Sequence, residues 1–260
     1  MIDSITIFGK EIPLYGLLFY AGIAVAAALA FLFCKKDKSL PLFDLACSAT
    51  YAMIGAMIGA KVLFVAVSID QIIEYQLSLV DVIKGGFVFY GGFIGGFAGL
   101  LIYCKQFKMR LSQFADIYAT VIPLGHAIGR VGCYFAGCCY GMPYDGPLHV
   151  VYHETVGMTP LETPLFPVQL LEAACLLVLF AILAVVFLRG HKGKTPWLYC
   201  IFYGVIRFVV EFFRGDGERG VFLGISTSQW ISVGIIAVAA ALFILRLKKD
   251  KAAIAEEPQN

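Results

Sequence analysis

The chain has 260 residues, 60% of them hydrophobic and 15% charged, with a formal net charge of +2. So apolar a composition excludes an ordinary soluble domain, and so small a net charge excludes a nucleic-acid partner. A polytopic membrane protein remains.

Seven apolar stretches reach the roughly 20 residues that a helix needs to cross a bilayer. They lie near 12–34, 43–68, 85–104, 111–135, 168–189, 196–214 and 222–246. The first has no basic n-region, exceeds the apolar core of a signal peptide and runs into Lys35, Lys36 and Lys38, so it reads as a retained helix. The expected fold is therefore an all-α integral membrane protein with seven transmembrane helices, one domain over 1–260. The long connection at about 140–167 carries Pro143, Pro147, Pro160, Pro164 and Pro167 and a β-like run, Leu148-His-Val-Val-Tyr152. It reads as a small ordered cap over a site or as a loop that joins helices. The tail, 247–260, is polar beyond Lys251 and expected to fray.

Loop charge orients the seven spans. One set of loops holds 13 basic residues, including Lys105, Lys108, Arg110, Arg189 and Arg246, and the other holds four, Lys10, Lys84, Arg214 and Arg219. The positive-inside rule then puts the N-terminus outside and the C-terminus in the cytoplasm. Lys61, Arg130 and Arg207 lie inside the spans, where each costs about 2.5–3.5 kcal/mol at mid-membrane. A rise of about 1.5 Å per residue puts Arg130 about 28 Å and Arg207 about 16 Å across from the inner face. Lys61 falls late in an outward span, and Tyr15 and Tyr90 begin spans that start outside. Five unusual residues from five helices thus share the outer leaflet.

That convergence suggests a lipid-accessible cavity in which guanidinium forks face an anionic headgroup, since planar donors match two phosphate oxygens at once. Gly129 and Gly132 would let the backbone approach a ligand, and Gly85, Gly86, Gly91, Gly92, Gly95 and Gly96 suit tight helix contacts or a broken helix beside a cavity. The plainer alternative is that Arg207 pairs with Glu211 four residues on and Arg130 snorkels to the surface.

Cys34, Cys47, Cys104, Cys175 and Cys200 lie in or beside apolar helices and read as small hydrophobes. Cys133, Cys138 and Cys139 cluster after Arg130. They suit a structural disulfide, a nucleophilic thiol activated by Arg130, a metal site with His126, or inert packing. The spacing His-x6-Cys-x4-Cys-Cys matches no familiar zinc pattern, so no metal or other cofactor is expected. His126 reads as a hydrogen-bonded interfacial residue, with a catalytic base as the alternative.

At these residues the chain resembles the prolipoprotein diacylglyceryl transferase family over most of its length. Tyr15-Gly16 matches the family's aromatic-Tyr-Gly start of the first helix, and Gly85-Gly-Phe-Val-Phe-Tyr-Gly-Gly-Phe-Ile-Gly95 looks like its glycine-rich third-helix motif. Gly129-Arg-Val-Gly132 matches the start of its signature. Pro167-Val-Gln-Leu-Leu-Glu172 looks like its Pro-Ser-Gln-Leu-Tyr-Glu motif, and Arg207-Phe-Val-Val-Glu-Phe-Phe-Arg214 resembles its second arginine segment. The resemblance implies transfer of diacylglycerol from phosphatidylglycerol to the thiol of a lipobox cysteine in a secreted precursor, in the bacterial cytoplasmic membrane with the site facing the outer leaflet. Arg130 and Arg207 would grip the phosphate, Glu211 would orient Arg207, and Tyr15, Lys61, Gly129, Gly132, Gln169 and Arg214 would contribute to the substrate site.

Three departures concern the acceptor side. Where the family signature continues Gly-Asn-Phe-x-Asn-Gly-Glu, this chain has Cys133, Ala136 and Cys138 for Asn, Asn and Glu. The family's third-helix His is Tyr90, which suits a hydrogen-bond donor to the headgroup better than a base near neutral pH. The implied partners are phosphatidylglycerol, a prolipoprotein or other thiol acceptor, and membrane lipids. Two further readings compete: a membrane thiol–disulfide oxidoreductase built on the cysteines, and a non-enzymatic protein that binds anionic lipid.

Overall fold

The structure, a computed structural model, describes residues 4–7, 10–37, 40–76, 78–154, 159–190, 193–216 and 220–256. An antiparallel hairpin, β1 (Ser4–Ile7) and β2 (Lys10–Pro13), leads into α1 (Leu14–Asp37). Then follow α2 (Leu42–Val67), the short α3 (Ile69–Glu74) and α4 (Leu79–Lys84), α5 (Phe89–Gln106) and α6 (Leu111–Ala136). After the 140–167 connection come α7 (Val168–Leu188), α8 (Thr195–Val210) with one 3-10 turn, Glu211–Phe213, the hairpin β3 (Val221–Phe222) and β4 (Ile225–Ser226), and α9 (Thr227–Glu256). Among the described residues five helical segments are long and apolar enough to cross a membrane: Leu14–Asp37, Leu42–Val67, Val168–Leu188, Thr195–Phe213 and Thr227–Lys248. The other two long helices are more polar for visible reasons. Glycines with Lys105 and Gln106 dilute α5, and Asp116, His126 and Arg130 dilute α6.

The last helix departs most from the sequence reading, at both ends. The last helix begins at Thr227 rather than 222, because Leu223 and Gly224 both take positive φ (54° and 75°) and turn the chain into a hairpin. Ser226 then starts the helix: its hydroxyl accepts from Gln229 N, and the Gln229 side chain accepts from Ser226 N, a reciprocal capping box. At the other end the helix continues to Glu256, through strong helix formers such as Ala252 and Ala253, where fraying was expected. Arg219 and the last four residues lie outside the described residues.

The chain divides into two compact units, Met1–Ala30 with Ala115–Asn260, and Phe31–Phe114. In the second, α2 and α5 meet along glycines: a Cβ added at Gly95 would overlap the carbonyl oxygen of Gly55, and one at Gly59 would overlap that of Gly91. Of the two readings of the glycine run, tight contact is the one realised, as in other small-xxx-small pairs. Lys61 on α2 sends its ammonium to the end of α4, where it donates to the carbonyls of Val82 (3.2 Å), Ile83 (3.2 Å), Gly85 (2.9 Å) and Gly86 (3.0 Å). It also lies 4.1 Å from the centre of the Phe87 ring. A cation at a helix C-terminus satisfies the last orphan carbonyls and the dipole together.

In the first unit, α1 and α6 approach through Gly22 and Gly125, whose added Cβ atoms would sit 2.8 and 3.1 Å from each other's carbonyl oxygens. Asp116 on α6 starts α8: its carboxylate accepts from Thr195 Oγ1 (2.6 Å) and Gly193 N (2.6 Å). Residues 155–158 of the 140–167 connection lie outside the described residues, and the rest folds into a small lobe. Val150 and Leu165 exchange backbone hydrogen bonds at 2.9 Å each, and with Tyr152 they form a small core against Tyr134 and Tyr140. Backbone bonds from Met142 N to Phe213 O and from Gly215 N to Tyr140 O tie the lobe to the end of α8.

Candidate active site

The site is organised by the end of α6. Gly137 takes φ +65°, its N–H donates to Tyr134 O, and Cys138 N donates to Cys133 O. These two bonds define a Schellman cap, in which the residue three from the cap and the one just beyond it touch. Here those residues are Cys133 and Cys138. Side chains from outside the helix also donate to the turn: Tyr152 Oη to Tyr134 O (3.0 Å), Thr159 Oγ1 to Gly137 O, and Gln169 Nε2 to Cys138 O (2.8 Å). The lobe and the start of α7 thus hold this turn in one conformation.

One turn back from the cysteines, Arg130 Nε lies 3.1 Å from Glu172 Oε2 on α7; the contact is an ion pair whose angle leaves Nε without a hydrogen bond. Glu172 is buried, and its other oxygen lies 3.9 Å from His126 Nε2. On α8, Arg207 Nη2 lies 2.6 Å from Glu211 Oε2, which also accepts from Ser228 Oγ (3.3 Å). His126 is within electrostatic reach of Arg130, Glu172 and Arg207, so the two arginines share one polar cluster. Both guanidinium side chains are largely buried, 14% and 12% exposed. Among the described residues, Arg207 Nη1, Gln169 Oε1 and Glu172 Oε1 are also buried with no hydrogen-bond partner. A buried donor left unpaired costs about 1–3 kcal/mol, and more when charged. An anion with several acceptor oxygens would remove that cost.

Arg214 makes a bidentate pair with Asp216, Nε to Oδ1 at 2.8 Å and Nη2 to Oδ2 at 2.6 Å. Its charge acts on Cys139, as does that of Arg130. The sulphurs of Cys133, Cys138 and Cys139 all lie within 4.8 Å of one another, and the three are free thiols. Cys139 completes the group because its φ of +55° turns it back towards the helix end. The Cys138 thiol donates to Cys133 O (3.7 Å), back across the cap. Tyr15, 42% exposed on α1, interacts electrostatically with all three cysteines and with Arg130.

The structure therefore gathers Tyr15, Arg130, Gln169, Arg207, Glu211, Arg214 and the three cysteines in the first unit. Gly132 makes ordinary contact, its added Cβ 3.4 Å from Leu18 Cβ and Tyr15 Cδ2, whereas one at Gly129 would meet open space. Both were expected to let the backbone approach a ligand, and Gly129 leaves room for one beside Arg130. Lys61 and Tyr90 belong to the second unit. The Lys61 ammonium is committed to backbone carbonyls, and Tyr90 stands on α5 with 58% of its surface exposed. Sequence reasoning had quoted Glu172 within a motif without giving it a role, and it passed over Asp216. The signal was present for both: an acid three residues after Gln169 on one helix face, and an acid two residues after Arg214.

A family model described as prolipoprotein diacylglyceryl transferase matches residues 4–245. A phosphatidylglycerol–prolipoprotein diacylglyceryl transferase of Clostridium tetani is 34% identical over 253 residues, covering 94% of this chain and 97% of the relative. One from Dehalococcoides mccartyi is 30% identical over 241 residues, 92% of this chain and 91% of the relative. Phosphatidylglycerol–prolipoprotein diacylglyceryl transferase 2 of Clostridium perfringens is 29% identical over 249 residues, 94% and 95%.

Proposed function

The chain belongs to the prolipoprotein diacylglyceryl transferase family, and from that premise we propose that it moves the diacylglyceryl group of phosphatidylglycerol to a cysteine thiol of a secreted lipoprotein precursor. A C–S bond forms, the C–O bond to phosphate breaks, and glycerol phosphate leaves. In this reading all seven long helices cross the bacterial cytoplasmic membrane, with the N-terminus outside and the C-terminus in the cytoplasm, as the 13-to-four division of loop cations favours. The substrate site then opens to the outer leaflet, with the 140–167 lobe as its outer cap.

The observation that carries the proposal is the buried, unpartnered Nη1 of Arg207 in the same polar cluster as Arg130. Two fixed guanidiniums, one beside the open space at Gly129, bind the phosphodiester and stabilise the charge that collects on the leaving phosphate as the C–O bond breaks. Glu172 and Glu211 act through the arginines, since each holds one fork in place. Gln169 Oε1 accepts from a headgroup hydroxyl, and Tyr15 borders the same space.

The test uses purified protein in vesicles of labelled phosphatidylglycerol with a lipobox peptide. Glycerol phosphate and a diacylglyceryl thioether on the peptide cysteine are expected in equal amounts. Lipid binding without release of glycerol phosphate would reduce the protein to a lipid binder, and thiol–disulfide exchange without lipid transfer would make it an oxidoreductase.

A further inference from the structure

The family reading leaves the three clustered thiols without a task, and they occupy the part of the chain that differs from the family signature it otherwise resembles. We propose that Cys133, Cys138 and Cys139 form a trithiolate site for a zinc ion whose open fourth position receives the acceptor thiol. The inference rests on the transferase reading for its acceptor, and on geometry alone for its metal.

The geometry has three parts. First, zinc binds each thiolate at about 2.3 Å, which in a tetrahedron puts the sulphurs about 3.8 Å apart. The observed sulphurs, all within 4.8 Å, need small side-chain rotations to close on one ion. Second, three sulphurs converge, not two. The Schellman cap alone would bring Cys133 and Cys138 together, and a disulfide would need no more. Cys139 reaches them through a left-handed backbone that a non-glycine residue adopts at a cost of about 1 kcal/mol or more. Third, zinc with three thiolates carries one net negative charge, and the guanidiniums of Arg130 and Arg214, each also paired with a carboxylate, both act on Cys139. None of the three cysteines is fully buried, so a fourth ligand has access.

Familiar zinc spacings assume a knuckle or hairpin between ligand pairs, and His-x6-Cys-x4-Cys-Cys has neither. A helix C-cap achieves the same convergence with four residues between the first two cysteines. Three protein ligands and one open position are the arrangement of a catalytic zinc site rather than a structural one.

The chemistry follows. An entering thiol that coordinates zinc loses its proton to water, because a coordinating thiol is deprotonated outright. The bound thiolate attacks the glyceryl carbon that bears the phosphate. The C–S bond forms as the C–O bond breaks, and the electron pair leaves on the phosphate oxygen, towards Arg130 and Arg207. The product thioether is neutral and a poorer ligand than thiolate, so it vacates the fourth position. No base and no redox partner is consumed.

The experiment reads the metal directly. Full-length protein, purified in detergent under a phosphine reductant, is expected to retain one zinc per chain by mass spectrometry. Cobalt exchange should give a thiolate-to-cobalt charge-transfer band and the strong visible bands of tetrahedral coordination. Cys133→Ser, Cys138→Ser and Cys139→Ser should each weaken metal binding at least tenfold, while Cys34→Ser and Cys47→Ser leave it unchanged. Retained phosphatidylglycerol binding identifies variants that are folded. Adding a lipobox peptide should shift the visible cobalt bands, and the same peptide with serine for cysteine should not. The proposal is overturned if the reduced protein binds neither zinc nor cobalt, if only copper(I) binds, if the cluster variants keep the spectrum, or if protein from native membranes carries a disulfide among the three. Metal-free protein that transfers lipid at the full rate would remove the zinc from the reaction while leaving the transferase reading intact. Zinc bound with no lipid transfer would do the reverse.

Discussion

Two cations in apolar helices, Lys61 in one unit and Arg207 in the other, meet opposite fates. The Lys61 ammonium has three protons and four carbonyl acceptors within 3.2 Å, so its charge is consumed by the protein's own backbone. Arg207 spends Nη2 on Glu211 and keeps a buried Nη1 with no acceptor among the described residues. By charge and depth the two look alike in the sequence. A compact, flexible ammonium can be absorbed by a helix end, whereas a planar fork of five donors is hard to satisfy with one carboxylate. The surplus donor is what marks a site.

The comparison is most easily broken at the arginine. Arg207→Lys should lower kcat about 100- to 1,000-fold, nearly as much as Arg207→Ala, because a point charge cannot replace a fixed fork facing the transition state. Full activity in Arg207→Lys or Arg130→Lys, measured as glycerol phosphate release, would end the phosphate-clamp reading. Gly95→Ala should cost about 1–3 kcal/mol of stability, since its Cβ would overlap the Gly55 carbonyl and force α2 and α5 apart. Thermal unfolding in detergent checks this, and an unchanged midpoint would mean that the helix pair tolerates separation. Lys61→Met should cost about 1–2 kcal/mol through its unpaired carbonyls while leaving KM for phosphatidylglycerol within about twofold. A raised KM at unchanged stability would return Lys61 to the headgroup and erase the contrast with Arg207. The smallest effect is expected for Tyr90→Phe, a loss of one hydrogen bond worth about 1 kcal/mol and so a fall in rate of a few-fold. Abolished turnover with intact lipid binding would instead give the phenol a proton-transfer role.

Periodicity and polarity made much of the architecture legible. Among the described residues seven long helices overlap the predicted apolar runs, with Arg130, Arg207 and Gln169 on three of them. What stayed hidden was local chemistry that overrides hydropathy. Leu223 and Gly224 are apolar enough to belong to a span, yet their positive φ values make a hairpin, and Ser226 with Gln229 then sets the helix start. The short α4 was equally invisible, although Ser78 and Asp81 form its capping box. Glu172 was quoted but not weighed, because a carboxylate in an apolar helix means little until the arginine that faces it is known.

The sequence by itself determined the solvent of this protein and the positions of its charges, because transfer free energy adds residue by residue along a helix. It also carried the motifs that tie the chain to its family. Only the tertiary structure decided which of those charges are spent and which remain for a ligand. Pairing depends on distances of about 3 Å between groups far apart in the chain, such as Arg130 and Glu172. The meeting of Cys133, Cys138 and Cys139 was likewise decided by a helix cap and one left-handed residue, and no spacing rule encodes a backbone angle.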